Sequence, residues 1–194
     1  MAPALAAAFA LGLVVAIVLF VVVATYNDVV ALERRIDKAW ANIEVVLQQR
    51  VDQLPALVDA VRGVMALERD VLTAVTTARA SWSRDAPIGQ QAAASAATTS
   101  AVRSLFATVE RYPEVRSAEN VLALQEEIER LEGMIADRRE LHNDQVYRYN
   151  TRIAQVPGVL LGGIFGWRQR LFFDAEPAAD VPPSTVLDDE AATR

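Results

Sequence analysis

Hydrophobic positions along the chain fall into two regimes. From residue 4 to residue 25 no side chain is charged and nearly all are apolar, so no face differs from another. From Tyr26 onward the apolar residues space out. Val29, Leu32, Ile36, Trp40, Ile43, Leu47, Val51 and Leu54 follow one another at gaps of three and four, the period of a coiled-coil-like helix that buries one seam. Glu33, Arg34, Asp37, Lys38 and Glu44 fall mostly off that stripe. A helix so divided is too polar for lipid and too apolar on one side for water, and it needs partner helices.

Pro55 interrupts the stripe. Inside a helix, proline removes a backbone donor and clashes with the preceding turn, at about 3 kcal/mol. The less costly arrangement ends one helix near Leu54 and seats Pro55 in the first turn of the next. The other is a single helix kinked at that point.

Downstream the spacing predicts three more helices. One covers 56–82 through Leu57, Val61, Val64, Met65, Leu67, Val71, Leu72, Val75 and Ala78, and Pro87 and Gly89 break the chain after it. A second, 90–110, is rich in Ala, Ser and Thr before Val102, Leu105, Phe106 and Val109, and Tyr112-Pro113 closes it. The longest, 116–153, carries Val121, Leu124, Ile128, Leu131, Ile135, Leu141, Val146, Tyr149 and Ile153 opposite a solvated face of Glu126, Glu127, Glu129, Arg130, Asp137 and Arg139. The expected fold is all-α: an N-terminal transmembrane helix, then an antiparallel up-and-down bundle of about four helices, then a disordered C-terminal tail. The expected division is an anchor over 1–27, a bundle over 28–173 with an apolar segment at 156–173, and an acidic tail over 174–194.

The uncharged run 4–25 would span ~33 Å as a helix, which matches the hydrocarbon core of a bilayer. It lacks the basic leader of a signal peptide and exceeds the usual length of its apolar core, so a retained anchor is expected. No Lys or Arg precedes Arg34, whereas Arg34, Arg35 and Lys38 lie just beyond the run. The excess of basic residues places the N-terminus outside and the bulk of the chain in the cytoplasm, as a single-pass protein of the cell membrane. Ala6, Ala7, Ala10 and Gly12 offer small side chains on which two anchors could pair into a homo-oligomer.

Composition removes several activities. The chain has no cysteine, which excludes disulfides, thiolate nucleophiles and sulfur-held metals. A net charge of −6 argues against nucleic acid as a partner. His142 is the sole histidine, so a multi-histidine metal site cannot be assembled, and no Glu-x-x-His step occurs. The glycines of 158–166 follow no strand and lack Lys-Ser or Lys-Thr, so a phosphate loop is unsupported. No enzyme, cofactor or metal is expected.

The run Tyr26-Asn27-x-Val-Val, then Asp37-Lys-Ala-Trp40-Ala-Asn42-Ile-Glu-Val-Val-Leu, then Arg50-x-Asp52-x-Leu-Pro55-x-Leu-Val, resembles the signature of the LemA family. That family typically reads Arg-Arg-x-Asp-Leu-Ile-Pro-Asn-Leu-Val and then Val-Lys-Gly-Tyr. Here Gln49, Ala56 and Val61-Arg62-Gly63-Val64 depart from it. The resemblance runs from about Tyr26 to Phe173. It implies a pair of Tyr-Asn steps late in the chain, where this sequence has His142-Asn143 and Tyr149-Asn150. It adds no settled reaction; relatives are known mainly as membrane-anchored proteins, some linked with membrane proteolysis or magnetosome organelles.

Asn143 and Asn150 are seven residues apart, two helical turns, and therefore share a face. The plainer reading is a polar layer that fixes helix register; the sharper one is a ligand site. Segment 156–173 either folds back to cap the bundle, which is the expected outcome, or lies at the membrane surface. In the second case Trp167, Phe172 and Phe173 would enter the headgroup region while Arg168 and Arg170 met anionic lipid or a partner. If Pro55 separates two helices, four helices bring this segment back to the membrane; if it only kinks one, the segment ends far away. The function expected is a non-catalytic adaptor or scaffold, bound to the bilayer through 4–25 and to an unidentified protein partner. The alternative is a membrane-shaping or lipid-sensing protein acting through 156–173.

Overall fold

The computed structural model describes residues 2–62 and 69–173. Among these the chain is all-α, with helices α1 (Ala2–Arg62), α2 (Arg69–Ser81), α3 (Ile88–Val109), α4 (Pro113–Arg116), α5 (Glu119–Ala154) and α6 (Gly158–Phe165). The tail expected over 174–194 lies outside the described residues, as do Gly63, Val64, Met65 and Leu67.

Everything is arranged along α1. Its 61 residues make a rod ~92 Å long. Up to Ala24 the uncharged N-terminal stretch is buried by none of the described residues, and α1 is the one helix among them long and apolar enough to cross a membrane. Thr25 is its first buried residue, and from there Val29, Leu32, Ile36, Ala39, Ile43 and Leu47 carry one buried seam into the bundle. The uncharged stretch and the first bundle helix are a single helix with no break near residue 27.

The helix also continues through Pro55, so the break favoured near Leu54 does not occur. Leu54, Leu57, Val58 and Val61 all lie in one core cluster. Each buried aliphatic side chain contributes about 1.5–3 kcal/mol. Keeping helical phase past Pro55 therefore outweighs the ~3 kcal/mol that the proline costs.

From the far end the chain makes three more passes. α2 runs back along α1: Val75 joins the cluster of Leu54 and Val58, and Trp82 Nε1, just beyond α2, donates to Gln48 Oε1 at 2.9 Å. The side-chain amide of Gln91 then holds the carbonyls of Arg84 and Ala86, both at 2.9 Å, and closes the turn into α3. α3 runs outward, with Gln91 near Glu44 and Ser95 beside Arg50.

After the short α4, α5 returns along the whole bundle. Glu132 pairs with Arg50, Arg138 donates to the Asn42 carbonyl, Tyr149 Oη donates to Glu33, and Arg152 pairs with Asp28. Each step forward on α5 thus meets a step back on α1. Because four passes are made, segment 156–173 comes back to the start of the bundle even though α1 is unbroken. The expectation that an uninterrupted α1 would leave it far away is corrected: the chain reverses after Arg62 instead of at Pro55.

The passes differ in length. α2 and α3 reach only to the level of Glu44 and Gln48 on α1. Nearer the apolar stretch, α1 and α5 alone form a two-helix hairpin, too few to enclose a core. The final described residues supply the missing layer.

Candidate membrane-facing site

α5 ends at Ala154, and Gly158 opens α6 directly against the Arg152 carbonyl, where any Cβ would collide with backbone. α6 reads Gly-Val-Leu-Leu-Gly-Gly-Ile-Phe and contains no charge. Gly158 and Leu161 are its buried residues. Val159, Leu160 and Ile164 are 53%, 69% and 76% exposed. Gly166 ends the helix in the left-handed region at φ 71°, a conformation that suits glycine. This turn brings Trp167 N–H onto the Gly162 carbonyl at 3.1 Å. It also gathers three rings: Phe165 lies 5.0 Å from Tyr26 and 5.3 Å from Trp167, centroid to centroid.

Residues 167–173 then run in extended form up the hairpin, antiparallel to α5. Asn150 Nδ2 donates to the Arg170 carbonyl and its Oδ1 accepts from Arg170 N–H, both at 2.9 Å. Asn143 does the same for Phe173, at 3.2 and 2.8 Å. The spacing has a simple origin. Seven residues of α-helix rise ~10.5 Å, and three residues of extended chain advance ~10 Å. Two asparagines two turns apart therefore meet every third residue of a strand, and each amide satisfies the N–H and C=O that such a lone strand would leave unpaired.

Phe173 is fully buried in a cluster with Ile43, Leu47, Ala92 and Leu131, its ring 5.2 Å from that of Trp40. This removes Phe173 from the residues expected to meet lipid. Trp167 is half-buried against the Val29–Ile36–Tyr149–Ile153 cluster. Arg170 approaches Glu33 at 3.4 Å, while Arg168, Leu171 and Phe172 are exposed. The apolar segment is thus two things: a strap that closes the hairpin, and a helix whose outer face is covered by none of the described residues.

The remaining candidate positions lie elsewhere on the rod. Asn27, Asp37, Asn42 and Asp52 are exposed, Asp52 accepting from Gln48 one turn back at 2.8 Å. Tyr149 is buried, with burial and then Glu33 pushing its phenol up. Arg50 is enclosed mid-bundle among Ser95, Thr99 and Glu132.

Residues 39–186 match the model of the LemA family. This chain belongs to the LemA family. Similar proteins include Magnetosome proteins MamQ 1 and MamQ 2 of Paramagnetospirillum magneticum, each 25% identical over 183 residues, covering 81% of this chain and 67% of theirs. Magnetosome protein MamQ of Magnetospirillum gryphiswaldense is 34% identical over 82 residues, 42% of this chain and 30% of its own length. The LemA match takes in Arg50, both asparagines and the strap, and leaves the uncharged stretch outside it.

Within this LemA bundle His142 sits beneath the strap, fully buried and edge-on to Trp40 at 5.6 Å. Its Nδ1 lies 3.3 Å from Asn143 Oδ1, which only accepts, so Nδ1 is assigned the proton. Nε2 has no partner. Burial holds the imidazole below its ordinary pKa, and the Asn143 contact only partly opposes this. A folded pKa below the unfolded value means that stability is intact above about pH 6.5 and is lost as pH falls through the folded pKa. The unfolding midpoint is therefore expected to drop between pH 7 and pH 5 more steeply in the native chain than in His142→Phe. Equal slopes in circular-dichroism melts would assign the acid sensitivity to other groups.

Proposed function

We propose that this LemA-family chain is a non-catalytic, membrane-anchored adaptor that holds a helical bundle upright at a membrane surface and offers its outer faces to a protein partner. The observation that carries the reading is the continuity of α1 from the uncharged stretch into the core. No flexible linker separates anchor from bundle, so the bundle's height and tilt are tied to the span. A fixed stand-off is what a spacer or scaffold requires. Arg34, Arg35 and Lys38, all exposed just beyond the span, favour a cytoplasmic bundle and an outer N-terminus. Similarity to magnetosome proteins MamQ fits a part in organising a cellular structure better than turnover of a small substrate.

Leu122 and Leu141 are large apolar residues exposed on α5, well away from α6. A photoreactive residue at either position of the full chain, activated in native membranes, is expected to capture a discrete protein. Recovery of the unmodified chain alone from both positions would remove the adaptor reading.

A further inference from the structure

We propose that α6 is a second membrane contact, lying in the headgroup–acyl boundary of the leaflet from which α1 emerges, with Val159, Leu160 and Ile164 turned to lipid. The inference rests on the reading that the uncharged part of α1 spans the bilayer.

Position comes first. At one end of α6, Gly158 packs on the backbone of Arg152, whose side chain pairs with Asp28. At the other, Phe165 lies on Tyr26. Both ends of a helix ~12 Å long thus fall within about one turn of each other along α1. α6 crosses the end of the bundle instead of running along it. That level is also where the apolar run of α1 stops, at Thr25, and where its first charge, Asp28, follows. A helix lying flat at the exit point of a span occupies the interfacial plane.

Chemistry agrees with position. From Val156 to Trp167 there is no charged residue, and the large aliphatic side chains of α6 other than Leu161 are exposed. Tyr26, Phe165 and Trp167 cluster at its C-terminal end, and tyrosine and tryptophan are the rings that gather where hydrocarbon meets water. The first charges after it, Arg168 and Arg170, lie on the strap that climbs away from that level. Phe165, at the end of α6, also meets Tyr26, where the exposed apolar surface of α1 stops, so the medium that covers one lies beside the other. Lipid is therefore the occupant, ahead of a second copy of the chain. The clamps of Asn150 and Asn143 on the strap fix how far α6 can move from this level.

The chain lacks cysteine, so single cysteines carrying an environment-sensitive NBD dye can be placed cleanly. Full-length Val15→Cys, Leu160→Cys and Leu122→Cys would be reconstituted in phosphatidylcholine–phosphatidylglycerol vesicles containing nitroxide lipids. Dyes at residues 15 and 160 are expected to emit to the blue of the dye at 122. Residue 160 should be quenched best by nitroxides near the headgroup, and residue 15 by deeper ones. If residue 160 reads as water while residue 15 reads as lipid, the inference fails and the anchor stands. If residue 15 also reads as water, the anchoring fails as well. A blue emission at residue 160 that resists lipid quenching and disappears on dilution in lipid would show a second copy covering α6, and would overturn the inference too.

Discussion

Replacing Glu132 by leucine is expected to destabilise the bundle by about 3–5 kcal/mol, whereas Arg50→Met is expected to cost about 1–3 kcal/mol. The asymmetry follows from where each charge sits. The Arg50 side chain is 1% exposed and that of Glu132 is 32% exposed. Arg50 donates to Glu132 at 2.6 Å, to the Thr99 hydroxyl at 2.9 Å, and to the Ser95 hydroxyl and carbonyl at 2.9 and 3.1 Å, so one side chain ties α1, α3 and α5 together. Burial pulls the guanidinium below its usual pKa more strongly than Glu132 pulls it back.

Without Glu132 that cation keeps only neutral acceptors in a low-dielectric interior. Without Arg50 the carboxylate can turn to water, and the hydroxyls of Ser95 and Thr99 can return to carbonyls of their own helix. The double variant Arg50→Met/Glu132→Leu is expected to be more stable than Glu132→Leu alone, since it leaves no stranded charge. Urea unfolding of the full chain in detergent micelles, followed by far-ultraviolet circular dichroism at pH 7, measures all three. A larger loss for Arg50→Met would mean that packing, and not the countercharge, dominates the node.

How far this was legible in the sequence differs from residue to residue. Arg50 stands on the seam that runs Ile43, Leu47, Arg50, Leu54, at gaps of four, three and four. That spacing marks it as a buried position. Its partners carry no such mark. Glu132 follows a run of exposed acids, and Ser95 and Thr99 lie in an alanine-rich stretch where many polar residues look alike. The long helices were legible because sustained periodicity over α1 and α5 averages out local noise.

The unbroken helix at Pro55 is hard to read from sequence because the proline's cost is local, while the three buried residues beyond it that offset that cost, Leu57, Val58 and Val61, lie on the following two turns. The strap was missed for a different reason. Seven extended residues held by side-chain amides carry neither helical nor alternating period. Its one signal is a match between two spacings, seven between the asparagines and three between Arg170 and Phe173, and that match has meaning only once a helix is known to face a strand.

Asn143→Ala/Asn150→Ala is expected to release the strap while leaving the bundle folded. Each asparagine makes two hydrogen bonds to strap backbone. Those of Asn150 are exposed to water, so the pair together is worth about 1–3 kcal/mol, less than four buried bonds. Opening of the strap should rise about 5- to 150-fold, since 1.4 kcal/mol is a factor of ten. The strap follows the last long helix, α5, and adds no helix to the bundle, so the melting transition of the bundle should move little. Trypsin reads the opening directly, because Arg168 and Arg170 lie within the strap and cleavage under native conditions follows the open population. Deleting Leu171 tests the spacing itself. It shortens the strap by ~3.3 Å with both asparagines in place, so either Arg170 leaves Asn150 or Phe173 leaves Trp40. Cleavage should then rise about as much as in the double alanine variant. If the deletion leaves cleavage unchanged, the match between helical rise and strand advance does not hold the strap, and the aromatic contacts of Phe173 and Trp167 must do so alone.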